Sequence, residues 1–176
     1  SLSEGPLKVA QTTLRNLIKP RLFLFILIMS GFWLMFMQLF DLLPNFIVDW
    51  VDSSSIVNAL HLGPAFTADT PRGKMVTQEW LINADSGIII LFVVWISWLV
   101  KRMRHVHSIF MGISIASVGL MLAGWTMSGW VCLLGIVVFA VGEMLASPKL
   151  NEYLSVIAPD GEKGLYMGYA NMPTAI

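Results

Sequence analysis

Long apolar runs separated by short polar interruptions dominate the chain. The first covers about Leu22 to Ile47, the second Trp80 to Val100, the third Val106 to Met127 and the fourth Trp130 to Ser147. A helix needs ~20 mostly apolar residues to cross a bilayer, and these four runs fit that length. A fifth run opens near Leu165 and continues to Ile176, where the chain stops. The pattern predicts an all-α polytopic membrane protein with four full spans and the incomplete start of a fifth. Before the first run, Leu7, Val9, Ala10, Leu14, Leu17 and Ile18 make a loose apolar stripe between charges. An interfacial helix fits that stripe, and so does a plain linker. The expected organisation is a cytoplasmic linker or interfacial segment over residues 1–20 and a transmembrane bundle over 21–176.

Composition agrees with the runs. The chain is 56% hydrophobic with a mean hydropathy of +0.73, above the roughly 45–50% apolar content of soluble domains. Only 12% of residues are charged and the net charge is zero, so no basic field points to nucleic acid. Cys132 is the only cysteine, which leaves no internal disulfide and no cysteine-based zinc cluster. The chain begins with Ser1 and stops inside an apolar run, so a piece of a longer protein is expected.

The flanking charges orient the spans. Lys8, Arg15, Lys19 and Arg21 precede the first run, and Lys101, Arg102 and Arg104 separate the second from the third. Lys149 and Lys163 follow the fourth, whereas the 53–78 loop mixes acids with Arg72 and Lys74. By the positive-inside rule the N-terminus is cytoplasmic and the 53–78 loop lies outside. Trp50, Trp80, Trp125 and Trp130 then fall at the outer ends, as an aromatic belt would.

Glu143 is the residue that this picture makes most informative, because it lies within the apolar stretch Leu133–Leu145. An ionised carboxylate at the centre of a span costs about 2.5–3.5 kcal/mol on insertion scales, so intramembrane acids usually serve a route for ions or solutes. Counted from Trp130 at ~1.5 Å per residue, Glu143 lies roughly 20 Å in from the outer surface. Gly135, Phe139, Gly142 and Ala146 share its side, leaving room for a ligand, water or a second helix. In the first span Gln38, Asp41 and Asn45 share one face, beside Pro44, whose missing N–H frees the Phe40 carbonyl. They read either as a polar lining or as a helix end emerging into water. Asn83 and Asp85 open the second span, either as first-turn residues at the positive helix end or as groups facing the same outer cavity as Asp41. In the third span Gly112, Ala116, Gly119 and Ala123 form a small-residue face suited to helix packing. His105 and His107 could suggest a metal, but no carboxylate or cysteine ligand is near them in sequence, so a solvated turn is expected. No phosphate-binding loop, serine elbow or zinc-protease signature is present.

The stretch Gly142-Glu143-Met144-Leu145-Ala146-Ser147-Pro148, with Ile157-Ala158-Pro159, Lys163-Gly164 and Met167-Gly168, resembles the tenth-to-eleventh helix region of the Major Facilitator Superfamily. It looks most like the proton-coupled oligopeptide transporter branch. Phe32-Trp33 with Phe36-Met37-Gln38 is similar to that branch's seventh helix, and Gln78 with Leu81-Ile82-Asn83 to the start of its eighth. Met37 stands where the branch has Glu, and Ala84 where it has Pro. The resemblance implies part of a bundle of inverted three-helix repeats, the C-terminal half of a secondary transporter. Its function would be alternating-access, proton-coupled transport of a small polar solute or short peptide. Glu143 would contact substrate or proton, with Gln38, Asp41 and Asn83 as lesser pocket residues. The partners would be that solute, protons, the lipid bilayer and the missing N-terminal half, in the plasma (cell inner) membrane, with no cofactor. An integral-membrane enzyme using Glu143 with the His105–His107 loop, or a non-transporting membrane scaffold, remains the alternative.

Overall fold

The computed structural model describes residues 6–159 and 163–169. The elements are α1 (Pro6–Leu17), α2 (Pro20–Trp50), α3 (Ser54–Leu60), β1 (Thr67–Thr70), β2 (Gly73–Val76), α4 (Gln78–Val100), α5 (His105–Trp125), α6 (Gly129–Ile157) and α7 (Lys163–Tyr169). The protein is mostly helical, and α2, α4, α5 and α6 are each long and apolar enough to cross a membrane. They fall on the four predicted runs, with shifted ends. α2 runs from Pro20 to Trp50 without interruption at Pro44. α6 continues past Pro148 to Ile157, so Lys149, expected as a flanking charge, is a buried residue of the helix. The N-terminal stripe is helical as α1. Of the fifth run only the seven residues of α7 include its start; the run after Tyr169 lies outside the described residues.

The chain divides into two compact units. One holds the stretch through Leu34 and that from Asn151 onward. Its buried side chains on α2, Leu22, Phe25, Met29 and Phe32, recur every three or four residues, the period of one helix face. Phe25 packs on Tyr153 with ring centroids 5.0 Å apart, and Leu154 and Tyr166 in the same unit are buried as well.

The other unit is Met35–Leu150. Its centre is the pairing of α5 with α6, and small residues make that pairing possible. A Cβ added to Gly112 would stand 2.7 Å from both the Ala146 nitrogen and the Gly142 oxygen. Ala116, Gly119 and Ala123 meet Gly142, Phe139 and Gly135 in turn, so the helices run antiparallel with touching backbones, as small-residue faces allow. The predicted packing role of the α5 face is observed. The room expected beside Gly135, Gly142 and Ala146 is therefore filled by a helix. Ser108 on α5 donates its buried hydroxyl to the Leu145 carbonyl at 2.9 Å. Leu39, Leu43 and Ile47 of α2, with Val51 just after it, join this core, and Phe36 packs on Phe139 at 6.2 Å between centroids.

The 53–78 loop, read from sequence only as an outside connection, folds into α3 and an antiparallel hairpin. Thr70 pairs with Gly73 across Pro71-Arg72. Pro71 presets the φ of the turn's first central residue, and Gly73 takes φ +113°, where a side chain would be strained. The junction after α2 is tied to the α5–α6 turn. The Asp52 N–H donates to the Met127 carbonyl at 2.6 Å, and the Gly129 N–H donates to the Asp52 carbonyl at 2.8 Å. Ser53, almost fully buried, accepts the Val76 N–H at 2.8 Å and so ties the hairpin to the same junction. Trp80 closes the other side, donating its indole N–H to the Ala65 carbonyl at 3.1 Å. This corner is the hairpin end of the unit.

Candidate functional site

The second unit contains two acids within membrane-length helices, each with one enclosed carboxyl oxygen that finds no partner. Glu143 on α6 is half-buried, and its Oε2 is enclosed without a hydrogen bond. Asp85 on α4 is 2% exposed, and its Oδ1 is likewise enclosed and unpartnered. Both acids belong to the Met35–Leu150 unit. An enclosed polar atom without a partner costs roughly 1–3 kcal/mol, more if charged. Each such oxygen is therefore a place where a partner, ligand or ion would be stabilising.

Helix geometry explains how Asp85 arrives there. Leu81, Ile82 and Asp85 are the buried residues in the first half of α4, and positions i, i+1 and i+4 share one face. Farther along, Ile90, Leu91, Val94, Trp95 and Trp98 are exposed. Asp85 thus belongs to the short part of α4 that packs against the rest of the unit. The helix begins at Gln78 after Thr77, so Asp85 lies two turns inside it and is not a first-turn or capping residue. Seven residues on from Gln78, it is about 10 Å along its helix, and Glu143, fourteen on from Gly129, is about 21 Å along its own. Both helices start at the hairpin end, so Asp85 is the shallower acid and Glu143 the deeper one.

The remaining sequence candidates do not join this pair. Asn83 is exposed, because two residues along a helix turn it to the opposite side from Asp85. Asp41 is exposed as well, since Leu39 and Leu43 take the inward face of α2. Asn45, also exposed, donates its side-chain amide back to the Asp41 carbonyl at 3.2 Å. Gln38 is half-buried. Gln38, Asp41 and Asn45 therefore form their own outward polar face, separate from Asp85. Asn83 and Asp85, read from sequence either as first-turn residues or as groups facing the same outer cavity as Asp41, lie on opposite sides of α4. In the sequence Asp85 reads as an ambiguous helix-start acid; the missing signal is the N-cap position at Thr77, three residues before Trp80, where the apolar run begins.

A cavity of about 250 Å³ lies at the hairpin end. Val51, Ser53, Arg72, Met75, Thr77 and Glu79 are among its walls, and the Arg72 guanidinium donates to the Val48 carbonyl there. None of Gln38, Asp41, Asn83, Asp85 and Glu143 lines it. No group of His, Cys, Asp and Glu able to hold a metal ion occurs among the described residues. Compared with known proteins, the chain matches no family model, no curated protein and no solved structure.

Proposed function

We propose that this chain is part of a secondary active transporter of the Major Facilitator type, working by alternating access and coupled to protons. The solute is small and polar, a short peptide being the first to try. The N-terminus is cytoplasmic, the hairpin end faces outward, and the membrane is the cell's inner membrane. The observation that carries the reading is the enclosed, unpartnered carboxyl of Glu143 deep in α6. A membrane helix keeps such a group at a cost in stability, and service to an ion or solute route is the usual reason. Two further features support it. The small-residue face of α5 is occupied by α6, so a scaffold would have to use another surface as its interface. The Gly142-to-Pro148 stretch resembles the transporter helix named above.

The test is reconstitution of the whole transporter carrying this chain into proteoliposomes. An inward proton gradient should drive accumulation of labelled di- and tripeptides, and a protonophore should stop it. If no accumulation above empty vesicles occurs with those peptides, and none with amino acids or small sugars, the reading fails.

A further inference from the structure

We infer that the cavity at the hairpin end is a binding site for a small zwitterion, its carboxylate held at Arg72 and its ammonium at Glu79. The inference deepens the transport reading by giving the solute a docking place away from Glu143, and it rests on that reading only for the solute's onward passage. The site itself follows from the cavity. One space of about 250 Å³ has both Arg72 and Glu79 among its walls. Ile47, Val51, Met75 and Val76 are its buried walls, whereas Arg72 and Glu79 are exposed. The inner surface is therefore apolar, and the two charged residues stand where solvent reaches. Ligand pockets usually combine an apolar lining with a few polar groups, over roughly 300–1,000 Å³. This cavity falls just below that range, which limits it to a solute the size of an amino acid or dipeptide.

Each charge is carried on an anchored element. The Arg72 guanidinium donates to the Val48 carbonyl in the last turn of α2, and that bond holds the cation in the wall. A guanidinium has five N–H donors, which leaves donors for a carboxylate. Glu79 lies in the first turn of α4, where the helix dipole favours a negative charge. The segment between them is tied down at two points. The Val76 N–H donates to the Ser53 hydroxyl at 2.8 Å, and the Thr77 N–H donates to the Phe66 carbonyl at 3.1 Å. A pocket braced in this way needs little ordering when a solute enters. The surrounding charges decide the class of solute. Between Val48 and Trp80 the chain carries Asp49, Asp52, Asp69 and Glu79 against Arg72 and Lys74, an excess of acid. A solute with only negative charge is repelled by that excess. A solute with only positive charge gains Glu79 but meets the fixed guanidinium of Arg72. A zwitterion complements both walls at once.

The experiment places a reporter thiol in the cavity. Ala68 is an exposed wall residue, so Ala68→Cys is introduced into the whole transporter and its reaction with N-ethylmaleimide is followed by mass spectrometry of the peptide that contains position 68. Dialanine, N-acetyl-dialanine and dialanine amide are compared as protecting solutes. Dialanine is expected to protect the thiol, and each capped form to need a concentration about fivefold higher, the scale of one exposed charge pair. Adding Glu79→Gln should erase the advantage of dialanine over N-acetyl-dialanine while keeping its advantage over dialanine amide. Adding Arg72→Gln should do the reverse. Because Arg72 also holds the end of α2, its variant can fail to fold, and Glu79→Gln then carries the test alone. No protection by dialanine, equal protection by all three solutes, or a preference for the free ammonium that survives Glu79→Gln would each overturn the inference. Protection needs no translocation. A charge-selective profile without peptide uptake would retain this site while rejecting the transport reading, and uptake without protection would do the opposite.

Discussion

Gly112 on α5 and Gly142 on α6 meet backbone against backbone. A Cβ on Gly142 would stand 2.6 Å from the Gly112 carbonyl oxygen, and a Cβ on Gly112 would stand 2.7 Å from the Gly142 oxygen. The contact is reciprocal and involves main-chain atoms, so no flexible side chain can give way. It also fixes α6 one residue before Glu143, and so sets the direction in which that carboxyl leaves the helix.

Gly142→Val should therefore be among the most damaging single changes in the unit. Overpacking of this kind costs about 1–3 kcal/mol or more, and thermal unfolding in detergent should show a lowered midpoint. Gly87→Ala is the contrasting case, because nothing lies within 4 Å of the added Cβ. It should be neutral or raise stability by about 0.5–1 kcal/mol through helix propensity. Equal midpoints for the two variants would mean that α5 and α6 are not held in backbone contact.

Ser53→Ala should loosen the hairpin. The Ser53 hydroxyl is the acceptor for the enclosed Val76 N–H, and its removal leaves that donor unpaired at a cost of about 1–3 kcal/mol. Hydrogen exchange at Val76 should accelerate markedly while amides at the centre of α6 keep their protection. Unchanged exchange at Val76 would show that another acceptor holds the strand.

Acid should release the junction after α2. The Ser54 hydroxyl and the Ser54 N–H donate to Asp52 at 2.6 and 2.9 Å, and these bonds hold its carboxyl below the ordinary value of 3.8. A depressed folded-state value means that the stabilisation is complete above the unfolded value and is lost as pH falls through the folded one. Protection of the Ser54 amide should thus be flat at neutral pH and should fall only below 3.8. Because Asp52 is exposed, solvent screening keeps the effect local. Asp52→Asn should show the weakened protection at every pH, and a wild-type decline centred near neutrality would contradict this assignment.

The spans were legible because hydrophobic length is a direct requirement of the bilayer, and all four runs from Leu22 to Ser147 lie on observed helices. Their ends were not legible, because polar residues can extend a helix past its apolar run. Thr77 caps α4 three residues before Trp80, and α6 carries Lys149 and Glu152 onward to Ile157. That extension is what turned Asp85 from a helix-start acid into an interior one. The hairpin escaped notice because Thr67–Thr70 and Gly73–Val76 are four residues each and show no apolar alternation across both strands. Glu143 stood out in sequence since one charge in hydrocarbon is conspicuous. The enclosure of Asp85 did not, since burial of the first turns of α4 depends on packing that no local pattern encodes.

The most direct measurement of the central claim, that Glu143 carries charge for transport, is solute-driven proton movement in proteoliposomes loaded with a pH-sensitive dye. Wild type and Glu143→Gln should be reconstituted at equal amounts of folded protein, confirmed by size-exclusion profile. Addition of dipeptide or tripeptide should acidify the lumen of wild-type vesicles, whereas Glu143→Gln should fall to the level of empty vesicles while remaining folded. Lumen acidification by Glu143→Gln at the wild-type rate, with the same dependence on external pH, would contradict the account.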